Sequence, residues 1–127
     1  MIKADLMRVL IPVLPQKEGL LIAQHFGRAP QFAVFESQEP DKPLDVYKNP
    51  VPPQMASGTG KGRIITEFIS SMHVGAIITK EMGPGAFYYF QSKGVKVYKT
   101  NDKYPKDALE KFVKNNLEEM LEPNEHD

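Results

Sequence analysis

The sequence predicts a single α/β domain, because short β-branched apolar runs alternate with amphipathic helical segments along a chain of 127 residues. That length is typical of one domain and allows a buried core, which we expect over residues 7–120. The predicted element order is β-β-β-α-β-α-β-α. Its last two crossovers predict parallel strand pairs, so most of the sheet is expected to be parallel.

The first part of the chain predicts three strands and one long connection. Residues 6–13 are apolar and β-branched, which suits a buried strand with Pro12 at its end, since proline donates no ladder hydrogen bond. Residues 15–30 are interpreted as a long connection, a kind of segment that often carries function. Residues 32–35 predict a strand buried on both faces, and the alternating residues 44–48 predict an edge strand that pairs with it in an antiparallel hairpin.

A loop rich in proline and glycine precedes the first predicted helix. Ser57 or Thr59 is expected to cap this helix, and its apolar residues form one stripe: Ile64, Ile65, Phe68, Ile69 and Met72. Residues 74–79 then predict another buried strand.

The last part of the chain predicts two helices separated by a strand. Gly83-Pro84-Gly85 indicates the start of a short helix that Gly94 ends, and residues 95–99 predict the fifth strand. Asp102 is expected to cap a final helix whose core face comprises Leu109, Phe112, Val113, Leu117 and Met120. Residues 118–127 are acidic and are expected to fray into a solvated tail.

Composition excludes several classes of function. The 16 basic residues balance 16 acidic ones, which argues against a nucleic-acid binder, and the absence of cysteine excludes disulfides, thiolate nucleophiles and cysteine-based metal sites. No apolar run reaches the roughly 18 residues of a membrane span. Asp5 and Arg8 interrupt any signal-peptide pattern. We therefore expect a soluble cytoplasmic protein, either a monomer or a weak dimer.

Three loops are expected to meet beyond the carboxyl ends of the parallel strands, where ligands of such sheets usually bind. They are HFGRAP (25–30), GTGKG (58–62) and KEMGPG (80–85). The last two end at helix N-termini, which favour anions, and positive charge is added by Arg28, Lys61 and Lys80. The pattern predicts a crevice for a large, negatively charged ligand. An ordinary flexible helix start and a tight turn remain the alternatives for GTGKG and KEMGPG, since neither matches a phosphate-loop motif.

His25 is the candidate metal ligand, because a neutral imidazole binds iron and other transition metals. A hydrogen bond that braces the loop is the alternative role, since one histidine does not make a metal site. His73 lies between a predicted helix and strand, and His126 lies in the tail. The sequence contains no paired-histidine motif and no nucleophile elbow, so we expect a non-catalytic protein.

Several of these segments, taken together, resemble the dinitrogenase iron-molybdenum cofactor biosynthesis family. The resemblance covers about residues 7–120 in the family's order. It rests on HFGRAP, Ile11-Pro12-Val13, Asn49-Pro50, the glycines of 58–62, Ile77-Ile78-Thr79, MGPGAF (82–87) and KGVKVY (93–98).

The resemblance implies a ribonuclease-H-like, three-layer fold with a five-stranded mixed sheet, order 3-2-1-4-5 and strand 2 antiparallel. It also implies a carrier or scaffold that binds a preassembled iron–sulfur or iron–molybdenum cluster and exchanges it with a donor or acceptor protein. A cluster supplies its own sulfides, so few protein ligands are needed and the absence of cysteine is tolerated. His25 would then be the metal ligand, and the expected cofactor-binding residues are His25, Phe26, Gly27, Arg28, Gly58, Gly60, Lys61, Lys80, Gly83 and Gly85.

Two other functions remain open. The same crevice could serve an enzyme or sensor for a phosphorylated small molecule, given the two glycine-rich helix starts. The chain could also be an interaction module whose acidic C-terminal residues bind a partner, because residues 1–100 carry a net charge of +4 and residues 101–127 carry −4.

Overall fold

A mixed β-sheet of seven strands forms the centre of the protein, and helices cover both of its faces. The computed structural model describes residues 7–51 and 61–125. The strands are β1 (Arg8–Gln16), β2 (Gly19–Ile22), β3 (Gln31–Glu36), β4 (Asp45–Lys48), β5 (Ala76–Thr79), β6 (Lys96–Lys99) and β7 (Glu118–Glu119). The helices are α1 (Lys61–Ser70), α2 (Pro84–Ser92) and α3 (Pro105–Val113). The predicted α/β class is confirmed.

The sheet order is β4-β3-β1-β5-β6-β7, and β2 pairs with β1 outside this path. The pairs β1–β5 and β5–β6 are parallel, whereas the remaining strand pairs of the described chain are antiparallel. Two expectations were therefore wrong, because the sheet has seven strands rather than five and is not mostly parallel. The unexpected strands are β2 and β7, which are four and two residues long and carry too little pattern to be recognised.

β1 is longer than predicted and forms a hairpin with β2. Residues 13–16 pair with β2, and the turn ends at Gly19, whose φ of +131° is a conformation that glycine adopts without a Cβ clash. The interpretation of 15–30 as one long connection was therefore wrong for its first half. Pro12 lies inside β1 rather than at its end, near the point where β1 exchanges its neighbour β5 for β2, so its missing N–H costs little there.

Each face of the sheet carries its own core, since successive residues of a strand point to opposite faces. α1 and α2 cover one face, where the buried residues include Leu10, Phe26, Phe32, Ile65, Ile77 and Phe90. α3 covers the other face, where they include Val9, Ile11, Phe35, Ile78, Leu109 and Phe112. The domain therefore has three layers. Within the described residues, no helix combines the length and apolar character that a membrane crossing needs.

The start and end predicted for α2 are confirmed. Gly83 is its N-cap residue, Pro84 lies in its first turn, and Phe87 and Phe90 are buried. Gly94 follows the helix with a φ of +77°, a conformation common just beyond helix ends. This boundary directs the 80–85 loop to the carboxyl end of β5.

The predicted cap of α3 was wrong. Tyr104 is the N-cap residue, and no side chain caps the helix by a hydrogen bond. The carboxylate of Asp102 instead accepts hydrogen bonds from Thr100 Oγ1 (2.6 Å) and Lys111 Nζ (2.7 Å), so it fastens the helix to the end of β6 from the side.

Residues 118–125 return to the sheet, and the expectation of a frayed tail was wrong for them. α3 ends at Val113, well before the predicted helical residue Met120. β7 then pairs with β6, and Met120 is buried while its N–H donates to the backbone of β6 (2.7 Å). Residues 120–125, called the C-terminal strap below, continue to the carboxyl end of β5.

Candidate functional site

His25 lies at the carboxyl end of β5. After β2 the chain runs beside this end, where His25 forms a parallel bridge with Glu81 and the Phe26 N–H donates to the Glu81 carbonyl (3.0 Å). The structure thus brings the loops 25–30 and 80–85 together at the edge where sheets of this kind bind ligands.

Two anchors fix the His25 loop. The side chain of Phe26 is 1% exposed and packs against two other phenylalanine rings, with centroids 5.2 and 5.9 Å away. Asn49 Nδ2 donates to the carbonyls of Gly27 (3.2 Å) and Ala29 (2.8 Å). Because a buried ring and an amide hold the loop from two sides, the imidazole of His25 has a defined position.

The C-terminal strap covers the same crevice from the outside. Asn124 Nδ2 donates to the Lys80 carbonyl (3.0 Å), and its Oδ1 accepts from the Met82 N–H (2.9 Å). The backbone N–H groups of Asn124 and Glu125 donate to the Met82 carbonyl (3.2 and 3.3 Å). These bonds hold the Glu125 side chain, which is 13% exposed, over the His25 loop.

Two carboxylates converge on His25. Its Nδ1 lies 2.8 Å from Oε1 of Glu81 and 2.8 Å from Oε2 of Glu125. The other oxygen of Glu81 accepts from Gln24 Nε2 (2.8 Å), and Oε2 of Glu125 also accepts from the Arg28 guanidinium (3.2 Å). Over residues 7–51 and 61–125, this is the one group of three metal-ligand side chains whose donor atoms lie within 4.8 Å of one another.

The charge at this crevice differs from the sequence prediction of a basic anion site. Arg28 is present as predicted, but Glu81 and Glu125 place two negative groups around the imidazole. Imidazole nitrogen and carboxylate oxygen are both ligands of transition metals, whereas carboxylates repel anionic oxygens. The arrangement is therefore suited to metal atoms rather than to bare anions.

A protein-family model matches most of this chain. The model of the dinitrogenase iron-molybdenum cofactor family matches residues 7–115, which include both loops of the crevice. This chain belongs to that family. The match ends before the C-terminal strap, so Asn124 and Glu125 lie outside the part of the chain that defines the dinitrogenase iron-molybdenum cofactor family.

Relatives match this family member over nearly the whole chain. An uncharacterized protein of Methanocaldococcus jannaschii is 28% identical over 120 residues, which are 94% of this chain and 96% of the relative. The apo form of the orange protein from Desulfovibrio gigas matches with a TM-score of 0.78 at 20% identity, covering 95% of this chain and 98% of that one. A Thermotoga protein, described as a candidate NifB protein of the DUF35 family, matches with a TM-score of 0.74 at 26% identity, covering 95% and 99%.

The predicted site residues of the 25–30 loop divide between crevice and core. His25 and Arg28 lie at the crevice, with side chains 35% and 55% exposed. Phe26, which the sequence predicts as a cofactor-binding residue, has its side chain buried in the core, where it anchors the loop. Gly27 contributes a carbonyl to the brace from Asn49.

The other predicted site residues lie in the two glycine-containing loops. The Lys80 carbonyl is bound by the strap, Gly83 is the N-cap of α2, and Gly85 lies in its first turn. Lys61 begins α1, and its side chain is outside the described part of the structure. The predicted site residues Gly58 and Gly60, like the predicted caps Ser57 and Thr59, lie outside the described residues.

Sequence reasoning missed four residues that shape this crevice in the family member. Glu81 lies within the quoted KEMGPG motif but was treated only as part of a turn, and Asn49 lies within a quoted pair without a role. Asn124 and Glu125 were assigned to the tail. A periodicity signal could not have found them, because Glu125 meets Arg28 across a sequence separation of 97 residues.

Proposed function

We propose that this protein binds a preassembled iron–sulfur or iron–molybdenum cluster and carries it between a donor and an acceptor protein, with His25 as a ligand to one metal atom. The observation that supports this most directly is the placement of His25. Its imidazole is held at the carboxyl end of β5, partly exposed, in a member of the dinitrogenase iron-molybdenum cofactor family. Carrying a cluster requires binding and release but no catalytic residue.

A metal cluster fits this crevice better than a phosphorylated small molecule does. A phosphate presents only anionic oxygens, which Glu81 repels whether the strap is closed or open. A cluster presents iron or molybdenum atoms, which take imidazole nitrogen as a ligand, while Arg28 offsets part of its negative charge. Because the cluster brings its own sulfides, one histidine and a few polar groups hold it loosely enough for transfer.

Cluster binding requires the strap to move. In the closed arrangement the carboxylates of Glu81 and Glu125 both contact Nδ1 of His25, and Glu125 also pairs with the Arg28 guanidinium. The end of the strap is held by four hydrogen bonds of Asn124 and Glu125 to the 80–82 loop, each of which contributes about 1 kcal/mol in water, and by the contacts of Glu125 with His25 and Arg28. We propose that the strap opens at the cost of these contacts, and we place the cluster where the Glu125 carboxylate lies in the closed form.

The test is anaerobic uptake of a synthetic iron–sulfur cluster and of isolated iron-molybdenum cofactor, followed by gel filtration, metal analysis and visible absorption. We expect wild type to retain cluster and His25→Asn to lose at least tenfold in retained metal. His73→Asn is the matched control, because His73 is exposed with a φ of +56°, which asparagine tolerates. Equal retention by His25→Asn and wild type would remove His25 as the ligand, and no retention by wild type would end the proposal.

A second variant tests the role of the strap. Asn124→Ala removes two hydrogen bonds to the 80–82 loop and should accelerate cluster uptake several-fold. Asn101→Ala, at an exposed position after β6, should leave the rate unchanged. An unchanged or slower uptake by Asn124→Ala would show that the strap does not need to open.

A further inference from the structure

We infer that His25, Glu81 and Glu125 form a binding site for a single divalent transition-metal ion while the strap is closed. This inference does not rest on the cluster proposal, since it concerns the closed arrangement of the strap and a single metal ion rather than a cluster. Glu125 lies beyond the residues that the family model matches, whereas His25 and Glu81 lie within them.

The distances fit a common metal ion. Zinc and similar ions bind imidazole nitrogen and carboxylate oxygen at about 2.0–2.2 Å. In an octahedral site two neighbouring ligands lie at right angles around the ion and are then about 3 Å apart, whereas in a tetrahedral site they are about 3.4 Å apart. Nδ1 of His25 is 2.8 Å from Oε1 of Glu81 and 2.8 Å from Oε2 of Glu125, so both oxygens lie at the separation expected for neighbouring ligands.

The directions of these contacts point the same way. Nδ1 is buried and makes no hydrogen bond to any of the described residues, although two carboxylate oxygens lie at hydrogen-bond distance. The oxygens therefore lie to the side of the ring N–H direction rather than along it. An ion placed along that direction would have the nitrogen and both flanking oxygens as ligands.

The donor set and its surroundings define the class of ion. One imidazole and two carboxylates bind divalent ions such as Zn²⁺, Fe²⁺, Co²⁺ and Mn²⁺, and the two negative charges balance the charge of the ion. Gln24 and Arg28 hold the carboxylates from outside, as supporting groups of metal sites do. The ligands come from three distant segments, so an ion would fasten the strap to the ends of β2 and β5.

The probe is Co²⁺ added to chelator-treated protein, followed by its visible absorption and by calorimetry. All proteins carry His126→Asn, which removes the histidine next to Glu125 in sequence. We expect one ion per chain, and at least a tenfold loss of affinity in each of His25→Asn, Glu81→Gln and Glu125→Gln. His73→Asn and Glu110→Gln, at exposed positions on other parts of the surface, should bind Co²⁺ as the parent does.

A second measurement uses Cu²⁺ and electron paramagnetic resonance, which should show coupling to one imidazole nitrogen that His25→Asn removes. The inference is overturned if the parent binds Co²⁺ no more tightly than the three ligand variants. It is also overturned if added Co²⁺ leaves the melting temperature of the parent unchanged. Asn124→Ala should weaken Co²⁺ binding while it accelerates cluster uptake, so failure of one proposal is distinguishable from failure of the other.

Discussion

Asn124 determines the geometry of the crevice although it does not contact His25. Its amide nitrogen donates to the Lys80 carbonyl and its amide oxygen accepts from the Met82 N–H, so one neutral side chain fills a donor and an acceptor of the 80–82 loop. Without it, Glu125 would be one of several exposed acidic residues near the C-terminus. The position of the Glu125 side chain therefore depends on Asn124, its neighbour in sequence, and on the 80–82 loop, which is distant in sequence.

Asp102 provides a pH-dependent test at the same scale. Burial alone would raise the pKa of Asp102, but hydrogen bonds from Lys111 and Thr100 and the charges of Lys111 and Lys80 outweigh it, so the pKa is lowered. The ionised form is thus favoured in the folded state. Its contribution is fully present above the ordinary aspartate pKa of about 3.9 and is lost as the pH falls below that value.

We therefore expect Asp102→Asn to lower the free energy of unfolding by about 1–2 kcal/mol at pH 7 and by much less at pH 3. Urea unfolding at the two pH values measures this difference. Asp45→Asn, on the exposed edge strand, is the control and should show little effect at either pH. A loss from Asp102→Asn that is equal at both values would contradict the assignment.

At the scale of elements, strong periodic signals predicted well and short ones did not. α2 lies between two glycines and a proline whose backbone preferences are local, so its bounds follow from the sequence. β7 has two residues and β2 has four, and each forms because a longer strand offers it a free edge. The composition of Glu118–Glu119 indicates solvent exposure, and it says nothing about the strand that it joins.

Two glycines, one in the β1–β2 hairpin and one in α1, are predicted to respond to alanine with opposite changes in stability. Gly19 has a φ of +131°, so Gly19→Ala should destabilise the protein by about 1–3 kcal/mol through backbone strain, although no atom lies near the added Cβ. Gly62 lies in α1 with the same open space but without positive φ, so Gly62→Ala should stabilise by about 0.5–1 kcal/mol. Thermal unfolding of both variants measures these effects, and equal signs would contradict the account.

At the scale of the whole molecule, the fold brings the acidic C-terminal segment into contact with basic residues of the remaining chain. The acidic residues 118–127 were expected to fray into a solvated tail, yet Glu125 contacts His25 and Arg28. The sequence was sufficient for the α/β class, the three helices and the position of His25, because these depend on local patterns and family motifs. It was insufficient for the carboxylates around Nδ1, because they depend on tertiary contacts.

The two cores make a prediction about cooperativity. Phe90 is buried on the face covered by α1 and α2, and Phe112 is buried on the face covered by α3. Because one sheet separates them, Phe90→Ala and Phe112→Ala should each cost about 3–5 kcal/mol and lower the same single transition. Urea unfolding followed by both fluorescence and circular dichroism measures this. Two separate transitions in either variant would show that the layers unfold independently.

The docking of Glu125 also has a practical consequence for handling the protein. A polyhistidine tag fused after Asp127 would begin three positions after Glu125, whose carboxylate contacts His25, and it would add imidazoles close in sequence to a predicted metal site. Such a tag would raise apparent metal binding and hinder closure of the strap. An N-terminal tag precedes β1 in sequence. The first residue of β1, Arg8, lies at the end of the sheet opposite the crevice, where its carbonyl accepts a hydrogen bond from the Gly75 N–H. Purification through an N-terminal tag therefore adds no metal-binding side chains next to Glu125 in sequence.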